Sequence, residues 1–257
     1  MESVISLQEV SKVYRRGERE VRALDSVSLS VEKGEFLAVV GSSGSGKTTL
    51  MNLMGCLDTP TSGTCLFEGE DVGQLSGQRL AAIRNSRIGF VFQGFNLIGG
   101  LTALENVELP LAYRGVPASE RRALAREALS LVGLGERTGH LPGQLSGGQQ
   151  QRVAVARAIA ARPPVILADE PTGNLDPASG KAVMEILNRL HREGRTLVLI
   201  THDMALAATA QRRVHIREGH LRREEEYEFP FGDEGKFGGF RPSLAIDNPP
   251  ADDIISP

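Results

Sequence analysis

Cysteine is scarce: the 257 residues contain two, Cys56 and Cys65, and neither stands in a CxxC or a Cys/His cluster. That argues against a disulfide scaffold and a zinc site, and leaves two reduced, structural thiols as the expectation for a cytosolic chain. Long hydrophobic runs are absent as well. No apolar stretch approaches the roughly 20 residues that span a bilayer, and the opening segment MESVISLQEVSKVYRRGERE carries no apolar block of a signal peptide. The expectation is a cytoplasmic protein that reaches a membrane only through a partner. A concentrated basic stretch is missing too, since 29 Lys and Arg are set against 32 Asp and Glu for a net charge of −3. This speaks against nucleic acid as a partner. No internal repeat is visible.

What remains is an ordinary globular composition, 40% hydrophobic and 24% charged, with enough length for one large α/β domain and a filled core. Charge is unevenly placed. Residues 222–257 hold nine acids and four bases, a balance of −5, so the first 221 residues carry +2 of the total −3. In the tail, turn formers and acids displace apolar periodicity. The expectation is a folded domain over 1–221 and an acidic, flexible tail over 222–257.

Residues 4–10 and 27–31 alternate apolar and polar positions as half-buried strands do, and with 65–69 they suggest a small antiparallel sheet. Short apolar strands are expected at 35–40, 88–92, 165–168 and 196–200, and helices at 48–57 and 177–190. Their alternation predicts a parallel sheet. The pattern over 103–132 is helical, with Pro110 and Pro117 as breaks, and a helical subdomain is expected near 95–155.

Two segments carry chemistry by themselves. Gly41-Ser42-Ser43-Gly44-Ser45-Gly46-Lys47-Thr48-Thr49 fits G-x-x-x-x-G-K-[ST] between a strand and a helix. Glycines let successive N–H groups turn toward phosphate oxygens, and the helix start adds the positive end of its dipole. Lys47 is expected to reach the β/γ-phosphates of ATP and Thr48 to ligate Mg²⁺. The second segment, Val165 to Glu170, is a buried strand ending in two carboxylates. Asp169 is the expected Mg²⁺ partner, and Glu170 the group that polarises an attacking water, which implies hydrolysis.

Leu145-Ser146-Gly147-Gly148-Gln149, followed by QQRVAVARAIAA, resembles the signature of the ATP-binding cassette family. The resemblance covers roughly residues 3–221, with the motifs in the family's order. It implies a P-loop NTPase fold: a RecA-like α/β core, a small antiparallel β subdomain and a helical subdomain. It also implies a head-to-tail homodimer in which each LSGGQ segment completes the partner's ATP site. By the same resemblance Tyr14 stacks on adenine, and Gln93 touches Mg²⁺ and the attacking water. Asn174-Leu175-Asp176 would cross the dimer interface, and His202 would contact the γ-phosphate.

Residues 92–98, the following LTALENVELPLAYRG, PTGNLD at 171–176 and LSGGQQQRVAVARA resemble the branch of macrolide-export (MacB-type) and lipoprotein-release (LolD-type) ATPases. The implied partner is a separate FtsX/MacB-type permease, with the ATPase peripheral on the inner face of the cell membrane. The stretch from Phe95 to Tyr113 is expected to form part of the groove for a permease helix. Gly99-Gly100 departs from the branch, where relatives often carry a proline. A non-transport cassette ATPase or an FtsE-like regulator is the competing reading. The non-transport ATPase is disfavoured by a single cassette and by the absence of a long heptad insertion between Lys47 and Ser146, whereas the FtsE-like regulator overlaps the permease reading.

Overall fold

Three continuous apolar runs place the sheet that carries the site. In a computed structural model, which describes residues 2–17 and 19–223, they become β3 (Phe36–Val40), β7 (Val165–Asp169) and β8 (Thr196–Thr201). With β6 (Ile88–Phe92) and β9 (Arg212–Arg217) they pair in parallel, and β10 (His220–Arg223) adds an antiparallel edge, in the order β10-β9-β3-β8-β7-β6. These strands lack polar alternation because both their faces are covered. Val165, Leu167, Val198 and Ile200 enter one core, whereas Ile166, Ala168, Leu197 and Leu199 enter another.

The first core is closed by α1 (Lys47–Met54) and a four-stranded antiparallel sheet in the order β2-β1-β4-β5. Its strands are β1 (Ser3–Arg16), β2 (Arg19–Glu32), β4 (Ser62–Phe67) and β5 (Glu70–Asp71). β1 and β2 are longer than their apolar alternation suggests, because bulges shift their register at several points and break the two-residue period. The other helices are α2 (Gly77–Arg87), α3 (Ala103–Tyr113), α4 (Ala118–Leu131), α5 (Gly147–Ile159), α6 (Pro177–Arg192) and the short α7 (Met204–Ala207). The two thiols are free and buried in the first core, and burial pushes Cys56 up to about 11 and Cys65 to about 12.

Three sequence expectations need correction. The helix after the phosphate loop stops at Met54 and leaves Leu57 exposed. Its end is set by Gly55, whose N–H bonds the Met51 carbonyl, and by Cys56 in the left-handed region at φ 54°. Pro110 does not break α3 but lies inside its last turn, while Pro117 is the N-cap of α4. Helices α3 to α5 pack onto the sheet, where Val107, Leu111, Leu129 and Val153 share a cluster with Ile166 and Leu199. A domain boundary at 221 would cut β10, where Arg222 pairs with His215 and Arg223 with Val214. Beyond Arg223, the flexible-tail expectation falls outside the described residues.

Candidate functional site

Gly41 to Gly46 link the end of β3 to α1. Gly46 is the N-cap, at φ 110°, and a Cβ there would stand 2.5 Å from the Ala23 carbonyl oxygen, so both backbone shape and space demand glycine. No side chain caps this helix, which leaves its first N–H groups to a ligand. Lys47 is nearly buried, and its ammonium donates to the carbonyls of Gly41 and Ser42, 2.8 Å each.

The carboxyl ends of β6, β7 and β8 deliver the other groups. A cavity of about 820 Å³ is lined by Ser42, Ser43, Gly44, Gly46, Lys47, Thr48 and Thr49 together with Gln93, Asp169, Glu170 and His202. Parallel pairing explains the convergence, because Phe92 lies beside Asp169 and Asp169 beside Ile200. Burial raises the Asp169 pKa and the neighbouring Glu170 charge raises it further, while Lys47 pulls it down. Two adjacent carboxylates facing one lysine leave negative charge uncompensated, which suits a divalent cation. Among the described residues no cluster of three or more His, Cys, Asp or Glu forms a metal cage. Thr48 and Asp169 fit Mg²⁺, which is commonly held by one or two protein groups plus substrate phosphates.

Glu170 is held on every side. Its φ of 44° is in the left-handed region, a strain of about 1–3 kcal/mol for a non-glycine residue. Its N–H donates to the Ile200 carbonyl at 2.8 Å, and Oε2 accepts from the Thr201 hydroxyl at 3.3 Å. Oε1 lies 2.8 Å from His202 Nδ1, so with Glu170 ionised the ring donates through that nitrogen. Gln93 Nε2 donates to Asn174 Oδ1 at 3.3 Å, and Asn174 Nδ2 to the Gln93 carbonyl at 3.1 Å.

Other expected site residues do not line the cavity. Gly41 and Ser45 belong to the loop but not to the cavity lining, and neither does Tyr14. The Tyr14 hydroxyl donates to Asp58 at 2.9 Å, and Lys12 sits 5.1 Å from its ring centre. Leu145 to Gln149 are also outside. Ser146 caps α5 in a reciprocal box, with its hydroxyl accepting from Gln149 N–H and the Gln149 side chain accepting from Ser146 N–H. Leu175 approaches Gly147, Asp176 caps α6 by accepting from Ser179 N–H, and Gly148 rests on Ser179. The signature and the 174–176 loop are therefore neighbours within one chain.

Sequence reasoning missed several contributors. Arg22 and Ala23 from β2 and Glu218-Gly219 from the β9–β10 turn line the cavity, with no local motif to mark them. Thr201 stood next to a singled-out histidine and was overlooked. Within the stretch expected to receive a permease, Asn96, Leu109, Pro110 and Tyr113 line a hollow of about 370 Å³ together with Phe90 and Phe92 of β6, and Tyr113 is 83% exposed.

Comparison with known proteins follows the same lines. The family profile described as ABC transporter matches residues 24–173. An uncharacterized ABC transporter ATP-binding protein of Thermotoga maritima is 52% identical over 91% of this chain and 100% of its own length. The macrolide export ATP-binding/permease protein MacB of Hyphomonas neptunium is 54% identical over 85% of this chain, and that of Azoarcus sp. 50% over 91%. This chain spans about a third of those two relatives, 34% and 36% of their lengths. A dimeric post-hydrolysis ATP-binding cassette bound to ADP and Pi superimposes with a TM-score of 0.80 at 45% identity, covering 85% of this chain and 97% of that one.

Proposed function

The chain belongs to the ABC transporter family, and we propose that it binds ATP at the phosphate loop, hydrolyses it as a head-to-tail homodimer and drives a separate FtsX/MacB-type permease. The observation that carries this reading is the single cavity uniting Lys47, Thr48, Gln93, Asp169, Glu170 and His202. A carboxylate, a lysine and an uncapped glycine-rich turn meeting in one cavity support that reading, while Leu145–Gln149 stand apart at the start of α5.

In this reading Lys47 turns from the loop carbonyls to the β/γ-phosphates, exchanging neutral acceptors for charged ones. Glu170 accepts the proton of the attacking water as its oxygen bonds to the γ-phosphorus and the bond to the ADP oxygen breaks. Two side-chain partners, Thr201 and His202, hold that carboxylate and the Ile200 carbonyl holds its strained backbone, so little reorganisation is needed at the moment of reaction. Gln93 orients the water, and His202 ties the γ-phosphate region to Glu170. Mg²⁺, held by Thr48 and Asp169, would neutralise charge on the phosphate oxygens. Tyr14, beside Asp58 on the antiparallel sheet, is assigned to the adenine. Ser146 to Gln149 meet the partner's ATP, and Asn174 to Asp176 lie along the same interface.

No helix among the described residues is long and apolar enough to cross a membrane. We place the chain at the inner face of the cell membrane, docked on its permease through the stretch from Phe95 to Tyr113 and the hollow it helps to line. The test is Glu170→Gln at saturating ATP and Mg²⁺, followed by light scattering. A stable dimer is expected, because binding survives while water activation is lost. A variant that stays monomeric refutes the reading, as does purification of the native chain with ribosomes or DNA and without a membrane protein.

A further inference from the structure

Gln93 and Glu170 occupy equivalent places: each is the first residue beyond the last paired rung of its strand, Phe92 beside Asp169. Past that rung the ladder between β6 and β7 no longer sets how the two chains lie. Side chains take over: Asn174 exchanges two hydrogen bonds with Gln93, and Gln151 joins both segments from α5. Gln151, on the second turn of α5 and fully buried, donates from Nε2 to the Phe92 carbonyl at 3.1 Å and to the Pro171 carbonyl at 2.7 Å. Those carbonyls flank Gln93 and Glu170 in the chain. Two acceptors around one amide nitrogen fix the amide's orientation, since its oxygen would be repelled there. Its Oε1 is buried with no hydrogen-bond partner among the described residues. A space-filling role would be served better by an apolar side chain, which leaves no polar atom unmatched.

The same helix holds the far end of the Gln93 segment. Arg157, two turns further along α5, donates to the Phe95 carbonyl at 2.9 Å and also to the Asn96 carbonyl. Phe95 and Asn96 both lie in the left-handed region, at φ 58° and 51°, a backbone shape that needs external support.

We propose that Gln151 is a positioning residue that sets the placement of Gln93 relative to Glu170, so that the helix opening with Ser146-Gly147-Gly148-Gln149 registers the hydrolytic groups of its own chain. This rests on the ATPase reading above. Gln151 does not line the cavity. It acts through two backbone carbonyls, and the phosphate loop is outside its reach. Its loss therefore separates catalysis from binding.

The experiment compares the full chain with Gln151→Leu and Gln151→Met, which remove both donors at similar volume. Steady-state ATPase, binding of a fluorescent ATP analogue and thermal melting are measured on each. A displacement of catalytic groups by about an ångström costs on the order of 100-fold. The expectation is a kcat lowered roughly 10- to 100-fold, with KM and analogue affinity within about twofold of the native chain and a cooperative melt retained. A folded variant with native kcat overturns the proposal, and so does a loss of analogue affinity that parallels the loss of rate. If neither variant folds, the role is structural and the proposal also fails. A native chain with no ATPase activity would instead defeat the underlying functional reading, an outcome visible before any variant is made.

Discussion

Two glycine-rich turns open helices in this molecule, and they are finished in opposite ways. At Gly46 the helix start carries no side-chain cap, and Lys47, Asp169, Glu170 and His202 gather around it. At Ser146 the helix is capped by its own serine and glutamine, and the turn does not line that cavity. Both present backbone N–H groups and a positive dipole end. One is a site within its own chain; the other has the anion-facing geometry but none of the chemistry. The contrast teaches that phosphate recognition comes from a local turn, whereas hydrolysis needs several strand ends brought together.

The largest effect should come from the chemical side of this contrast. Glu170→Gln is expected to lower kcat by about 100- to 10,000-fold, the usual worth of a positioned base, with nucleotide affinity kept. A kcat within tenfold of native would remove Glu170 from the role of base. Lys47→Ala removes the charge-assisted contact, which is worth about 1.5–3 kcal/mol, so ATP affinity measured by calorimetry should fall by roughly 10- to 150-fold. Unchanged affinity would place the phosphates elsewhere.

The signature side predicts a different pattern. In Gly148→Ala the added Cβ falls against the Ser179 side chain and pushes the starts of α5 and α6 apart. Overpacking of this kind costs about 1–3 kcal/mol. ATP binding by the monomer should survive while ATP-induced dimerisation weakens, as read by sedimentation. Equal loss of both would erase the distinction between the two turns.

The smallest effect concerns pH. Burial acts to raise the Asp58 pKa, but hydrogen bonds from Lys12, the Thr59 backbone and Tyr14 outweigh it and hold the carboxyl below its usual range. A lowered folded-state pKa stabilises the fold above the unfolded value, and that contribution is lost as pH falls through the folded one. Asp58→Asn should therefore flatten the decline of urea stability below about pH 4. An unchanged acid limb would show that the Lys12–Asp58 pair contributes nothing measurable.

The two turns also differ in how far they could be read in advance. The phosphate loop, the Asp169-Glu170 strand end and the parallel alternation were legible because each is a short-range pattern: a motif, an apolar run or a helical period. Pro110 misled, since a proline in the last turn of α3 is tolerated once packing holds the helix. The β1–β2 ribbon was under-read because its bulges break the two-residue period. Thr201 and Asn174 gave no local signal of their contacts with Glu170 and Gln93, and neither did Gln151 of its hold on β6 and β7, as those partners lie 20 to 81 positions away in the chain.

Residue order alone thus decided that a phosphate loop, two carboxylates and a second anion-facing turn exist, because backbone propensity and glycine content act over a few residues. Tertiary structure decided which of them meet. Side-by-side pairing of β6, β7 and β8 set Gln93, Glu170 and His202 around Lys47, while α5 carried the second turn out of their reach. The reason is physical: a hydrogen-bond ladder aligns strand ends that the sequence leaves far apart, and no local preference encodes that alignment.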